Sequence, residues 1–184
     1  RRFAQQLALG LAASAAACTT PAAKRNDGSA APTFVLVHGA WCGGWCWRKL
    51  TPLLAQAGCA VHTPTLTGLG ERAHLGSRET SLQTHVQDLQ AVLQMHDLRN
   101  VILVGHSCAG RVTSLVADRE RARIKQLVYL DAFVPEDGKR VVDYLLPLVR
   151  REAIVKVGAE TGFVPPVPAT ALGVTDGTDL AWIN

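Results

Sequence analysis

The stretch Val101-Ile-Leu-Val-Gly-His-Ser-Cys-Ala-Gly110 constrains the fold more than any other part of the chain. Four apolar, largely β-branched residues read as a short buried strand. Gly105 permits a tight turn, Ser107 stands at its apex, and Ala109-Gly110 begin a helix. Strand, sharp turn and helix in that order make a nucleophile elbow, which presents a serine hydroxyl at the edge of a sheet. The usual spacing is Gly-x-Ser-x-Gly, because strand and helix backbones pass close together there. Here the second small position is Ala109, with Gly110 next. A plain strand-to-helix turn could carry the same residues, so the reading depends on a second site upstream.

That second site follows Thr33-Phe-Val-Leu-Val37, an apolar run expected to form a central strand. It ends in His38-Gly-Ala-Trp-Cys-Gly-Gly-Trp-Cys-Trp47. A His-Gly pair after a buried strand, followed by more glycines, suits a loop whose backbone N–H groups turn into a cavity. In acyl transfer such donors stabilise the oxyanion of the tetrahedral intermediate. The expected donors are the amides of Ala40 and of Cys108, the residue after the candidate nucleophile.

The remaining periodicities fill in the sheet. Trp47, Leu50, Leu53, Leu54 and Ala57 recur at helical spacing up to Gly58. Cys59 to Thr63 reads as a strand, and Thr65 to Leu75 as a polar, glycine-punctuated loop. Leu82, His85, Val86, Leu89, Val92 and Leu93 form one helical stripe. Val112, Leu115 and Val116 continue the helix after the elbow, and Gln126 to Leu130 is a further buried strand closed by Asp131. Strands alternating with helices imply an α/β fold, a mostly parallel sheet with helices on both faces. From Val134 the pattern changes. Asp143 to Val149 suggests a short helix or two around Pro147, and Phe163 to Pro168 is a proline-rich break. This reads as the start of a lid over the carboxyl edge of the sheet.

The 184 residues, 48% hydrophobic and 18% charged, suffice for one domain with a sizeable core. The net charge of +4 is scattered. Its densest group, Arg119, Arg121, Arg123 and Lys125, reads as a solvated helix end rather than a nucleic-acid surface. Cys42, Cys46, Cys59 and Cys108 match no common zinc spacing. An oxidising compartment would permit a Cys42–Cys46 bridge, but small buried thiols are the simpler reading, and no metal or cofactor is expected. At the start, Arg1-Arg2 precede an apolar run from Leu7 to Ala17 and then Cys18. Residues 1–18 are expected to be an export signal with a possible lipid-bearing Cys18, giving a periplasmic or membrane-anchored protein. Residues 19–32 read as a flexible linker, 33–133 as the first part of a catalytic core, and 134–184 as the beginning of the lid.

Four segments together carry a resemblance: HGAWCGGWCW, TPTLTGLGERAHL, GHSCAG and LVYLDAFVPEDG. They resemble the α/β-hydrolase superfamily, in particular the branch of plant methylesterases, hydroxynitrile lyases and bacterial esterase relatives, over about residues 33–184. The resemblance implies Ser107 as nucleophile, Ala40 and Cys108 as oxyanion-hole donors, a small lid, and a small apolar or aromatic ester as substrate. Cys42 departs from the histidine often found at its position in that branch. A carbon–carbon lyase on the same scaffold, and a binding protein without catalysis, remain rival readings.

The histidines bear on that choice. His38, His62, His74, His85, His96 and His106 all precede Ser107. In this fold the triad runs serine, acid, histidine along the chain. A general base is therefore expected beyond Asn184, in a longer protein of which this is a fragment. Without the base, turnover would fall by roughly 10⁶-fold. Asp131, at a strand end after Ser107, is a candidate acid; its simpler role is a loop residue at the strand end. His85 and His96 read as packing residues, and His38 as structural.

Overall fold

The computed structural model describes residues 31–144 and 151–183. The expected export signal with Cys18, nearly all of the linker, and Leu145 to Val149 around Pro147 lie outside the described residues. Four parallel strands form one sheet: β1 (Thr33–Val37), β2 (Ala60–His62), β3 (Val101–His106) and β4 (Ile124–Leu130). Their order is β2-β1-β3-β4. Helices α1 (Thr51–Gln56), α2 (Leu82–Met95) and α3 (Ala109–Arg119) connect them. Two further helices follow β4, α4 (Arg151–Thr161) and α5 (Gly177–Ile183).

Strand alternation divides the core into two layers. Val35, Val37, Val101 and Leu103 face α2 and α3, where Val86, Leu89, Leu93, Val112 and Val116 meet them. Leu36 and Val104 face the opposite side, against Trp47 and the flank of α1. Both faces of β1 and β3 are thus covered, which is why these strands read as unbroken apolar runs. Each fully buried Val or Leu contributes roughly 1.5–3 kcal/mol. Ser81 caps α2 by accepting a hydrogen bond from the Thr84 amide, while the Thr84 hydroxyl takes the Ser81 amide.

Three expectations change. Trp47 does not start a helix: Gly44–Trp47 is a 3₁₀ turn, and α1 begins at Thr51, where Pro52 fits the first turn. The loop from Thr65 contains a second 3₁₀ segment, Gly70–Leu75. β4 is not fully buried. Among the described residues only β3 pairs with it, and Tyr129 and Leu130 reach solvent. The basic group at the end of α3 is tied down locally. Arg121 pairs with Asp118, Arg123 with Asp97 and Glu120, and Arg119 donates to Gln83. None of the described helices is long and apolar enough to cross a membrane.

The register brings the candidate site together. Val37 pairs with Gly105, and His106 with Leu130. The His38 loop, Ser107 and Asp131 therefore leave the carboxyl edge of the sheet side by side, the usual ligand-binding edge of an open α/β sheet.

Candidate active site

Ser107 sits between β3 and α3 with a left-handed backbone, φ +54°. That conformation costs a non-glycine residue roughly 1–2 kcal/mol. The surroundings hold it by leaving no other path. A side chain at Gly105 would collide with Thr113 on α3, and one at Gly110 with the Phe133 carbonyl. Ala109 is completely buried. The small residues around the serine are thus required by the closeness of β3, α3 and the strand end after β4. The Ser107 carbonyl accepts from the amides of Gly110 (3.2 Å) and Phe133 (3.0 Å), which fixes the turn from both sides.

Gly39 carries the β1 loop across the elbow. A Cβ there would lie 3.0 Å from that of Ser107. The next amide, Ala40, faces the Cys108 sulfur. Burial pushes the Cys108 thiol up, opposed by the amides of Ala40 and of Cys108 itself. Both amides singled out in the sequence thus act on the Cys108 sulfur, one residue after the serine. Cys108 also stands at the N-cap position of α3, whose N-terminal end favours developing negative charge.

The loop that bears Ala40 is strained and braced. Trp41 has φ +62°, and its indole N–H donates to the Val164 carbonyl at 2.7 Å. His38 is completely buried. Its Nε2 accepts from the Leu66 amide at 3.1 Å, and its Nδ1 donates to the Gly39 carbonyl at 2.8 Å. A ring that must accept at Nε2 is neutral, and burial lowers its pKa accordingly. His38 is a structural residue, as expected.

None of the other histidines serves Ser107 either. Among the described residues no side chain hydrogen-bonds its hydroxyl. The His106 ring stands edge-on to Trp47, 6.2 Å between centroids. Burial lowers its pKa, and nearby Asp131 partly offsets this. His85 donates to the Thr67 carbonyl at 2.9 Å, and His96 lies 5.2 Å from His62. Asp131 is exposed, has φ +45°, and makes no hydrogen bond to a described residue.

The four described cysteines are free thiols. A hydrogen bond from Cys46 lowers the Cys42 pKa, so these two thiols are neighbours without a bridge. No group of three or more metal-binding side chains occurs among the described residues.

Segments after β4 lie over the β1 loop. Besides Trp41–Val164, Arg78 donates to the carbonyls of Ala159 and Glu160, and Lys49 pairs with Asp179. The Arg48 guanidinium stacks on Trp182, 3.7 Å from the ring centroid. The chain from residue 134, expected to begin a lid, thus meets the β1 loop, the turn after it and Arg78. Sequence reasoning missed the polar side chains under the loop, Thr65, Glu71, Arg72 and Asp88. Thr65 and Asp88 each meet a partner 21 residues away, Gly44 and Thr67, and only the TPTLTGLGERAHL segment as a whole signalled the others.

A parallel sheet with helices on both faces and a serine elbow at its carboxyl edge defines an α/β hydrolase. The chain belongs to the alpha/beta hydrolase family, whose model matches residues 34–183. It is 43% identical over 165 residues to a carbendazim hydrolyzing esterase of Nocardioides sp. strain SG-4G, covering 82% of this chain and 66% of that protein. It is 38% identical over 104 residues to an alpha-hydroxynitrile lyase of Arabidopsis thaliana, covering 56% of this chain and 40% of that one. An extracellular alpha/beta-hydrolase from a Paenibacillus species superposes with a TM-score of 0.72 at 26% identity, over 83% of this chain and 64% of that one. The chain therefore spans less than two thirds of the length of each of these relatives.

Proposed function

We propose that the protein is a serine esterase acting on small apolar or aromatic carboxylic esters. The observation that carries this reading is the left-handed Ser107 at the carboxyl edge of the sheet, with the loop of Gly39 and Ala40 packed against it. The Ser107 oxygen attacks the ester carbonyl carbon while a histidine takes its proton. The two amides hold the resulting oxyanion. The tetrahedral adduct collapses to a Ser107 acyl ester, and the alcohol leaves with the proton. Water then attacks the acyl ester by the same route and frees the acid. None of the six histidines in this span serves as the base, so the reading assigns base and acid to residues outside it. The similarity to a carbendazim hydrolyzing esterase supports hydrolysis over carbon–carbon cleavage.

The reading extends to location. Arg1-Arg2, the apolar run to Ala17 and Cys18 support export with lipid attachment at Cys18, in keeping with an extracellular relative.

The test uses protein expressed from its complete reading frame and 4-nitrophenyl butyrate as the ester. Ser107→Ala should lower kcat by roughly 10⁶-fold, to the residue left by oxyanion hole and binding. Cyanide release from mandelonitrile without ester hydrolysis would replace the esterase reading by the lyase. Ester turnover unchanged in Ser107→Ala would overturn both.

A further inference from the structure

The loop that carries Ala40 is held at its far end by a relay of two side chains. The Gly44 amide donates to Thr65 Oγ1 at 2.7 Å, and Thr65 Oγ1 donates to Glu71 Oε1 at 2.5 Å. The direction is forced. An amide can only donate, so the hydroxyl accepts from Gly44 and its own hydrogen must go to the carboxylate. The Thr65 hydroxyl in turn holds the Glu71 carboxyl below the usual carboxylate range, keeping it an ionised acceptor.

The same segment meets the loop at other points. A side chain on Gly44 would collide with the Thr63 carbonyl, and one on Gly43 would lie 2.5 Å from Glu71 Oε2. The segment is itself anchored to α2. The Thr67 amide and hydroxyl donate to Asp88 at 2.7 and 2.8 Å. Arg72 donates to the Thr65 carbonyl at 2.8 Å and to the Thr67 hydroxyl at 3.0 Å.

Between the two braces, His38–Leu66 on one side and Gly44–Thr65 on the other, lies Trp41 in its left-handed conformation. A backbone strained there persists only where its surroundings over-determine it. The strained residue directly follows Ala40, so a loop freed at its Gly44 end can shift as a whole and carry the Gly39–Ala40 peptide with it. We propose that Thr65 and Glu71 are positioning residues, which hold the β1 loop so that the Ala40 amide points at the oxyanion. This rests on the esterase reading of the same site.

The test compares four variants of protein expressed from its complete reading frame, with 4-nitrophenyl butyrate as substrate. Thr65→Val removes the hydroxyl at nearly constant shape, and Glu71→Ala removes the acceptor. Losing an oxyanion donor outright lowers kcat by about 10²–10³-fold, so a donor that is only loosened should lose about 10-fold or more. The expected result is that loss in kcat for both variants with KM within about twofold, since the amide acts on the oxyanion rather than the bound ester. Thr65→Ser and Glu71→Gln, which keep a donor and an acceptor, should restore most of it.

Unchanged kcat in Glu71→Ala, whose side chain is exposed and whose loss leaves the core intact, overturns the proposal. So does a loss confined to KM. If the wild type neither turns over the ester nor takes a fluorophosphonate, the esterase reading falls by itself. The relay is then judged by hydrogen exchange at the Ala40 and Trp41 amides. Faster exchange in Glu71→Ala supports a held loop, and unchanged exchange overturns it.

Discussion

Two neighbouring strand ends carry the same backbone kink and have different surroundings. Ser107 follows β3 with φ +54°, and Asp131 follows β4 with φ +45°. Around Ser107 the backbone is closed in by Gly39, Gly105, Ala109 and Gly110, and the Ala40 amide meets the sulfur of the next residue, Cys108. Around Asp131 the chain is open to solvent, and no described residue hydrogen-bonds the carboxylate. Parallel strands must bend sharply to leave the sheet edge, so a left-handed residue there is a product of topology. What separates a candidate nucleophile from a loop residue is the packing that holds the kink.

The contrast can be broken most sharply through packing. Gly110→Ala puts a Cβ against the Phe133 carbonyl and within 3.2 Å of Ala132 Cβ, both backbone-anchored. It should destabilise the protein by about 1–3 kcal/mol in urea unfolding. Gly177→Ala, beyond the second kink, meets open space at the start of α5 and should change stability by under about 1 kcal/mol, in the stabilising direction. Equal losses at both positions would show that the elbow is no more tightly packed than the chain after β4.

A second test follows from the neutral His38 under the β1 loop. Its folded pKa lies below the ordinary 6.5 because burial penalises the charged ring. As pH falls through about 6.5 the unfolded chain binds a proton that the folded chain refuses. Stability contributed this way is full above the unfolded pKa and is lost as pH drops toward the folded one. Burial shifts His62 and His106 in the same direction, so they add to the slope. Unfolding free energy should therefore fall between pH 7 and 5, and His38→Gln should make that fall shallower. An unaltered slope in the variant would mean that His38 is not held neutral.

The smallest effect is expected at the second kink. Asp131→Asn keeps a residue that tolerates the left-handed region and removes only the charge. Ester turnover should stay within about threefold of wild type. A loss of a hundredfold or more would instead make Asp131 the catalytic acid, and the two strand ends would become partners.

Much of this was legible in the sequence, for identifiable reasons. β1 and β3 are covered on both faces, so their apolar runs are unbroken; they marked β1 as Thr33–Val37, while β3 runs two residues past its apolar run, to His106. The elbow was legible because close backbones leave only glycine and alanine at Gly105, Ala109 and Gly110. β4 misled because Leu127 and Val128 are apolar, while its exposure depends on which strands lie beside it. α4 was not foreseen, since Arg151–Thr161 has only a weak apolar stripe and contains Gly158. The relay through Thr65 and Glu71 was invisible because the Gly44–Thr65 bond spans 21 residues and uses side chains common in any polar loop.

The central claim is that Ser107 is the nucleophile, and covalent capture tests it most directly. Protein from the complete reading frame is treated with a fluorophosphonate, digested, and mapped by mass spectrometry. The account predicts one adduct, on the peptide containing Ser107, absent from Ser107→Ala. An adduct on another residue, or none from protein that hydrolyses esters, would contradict it.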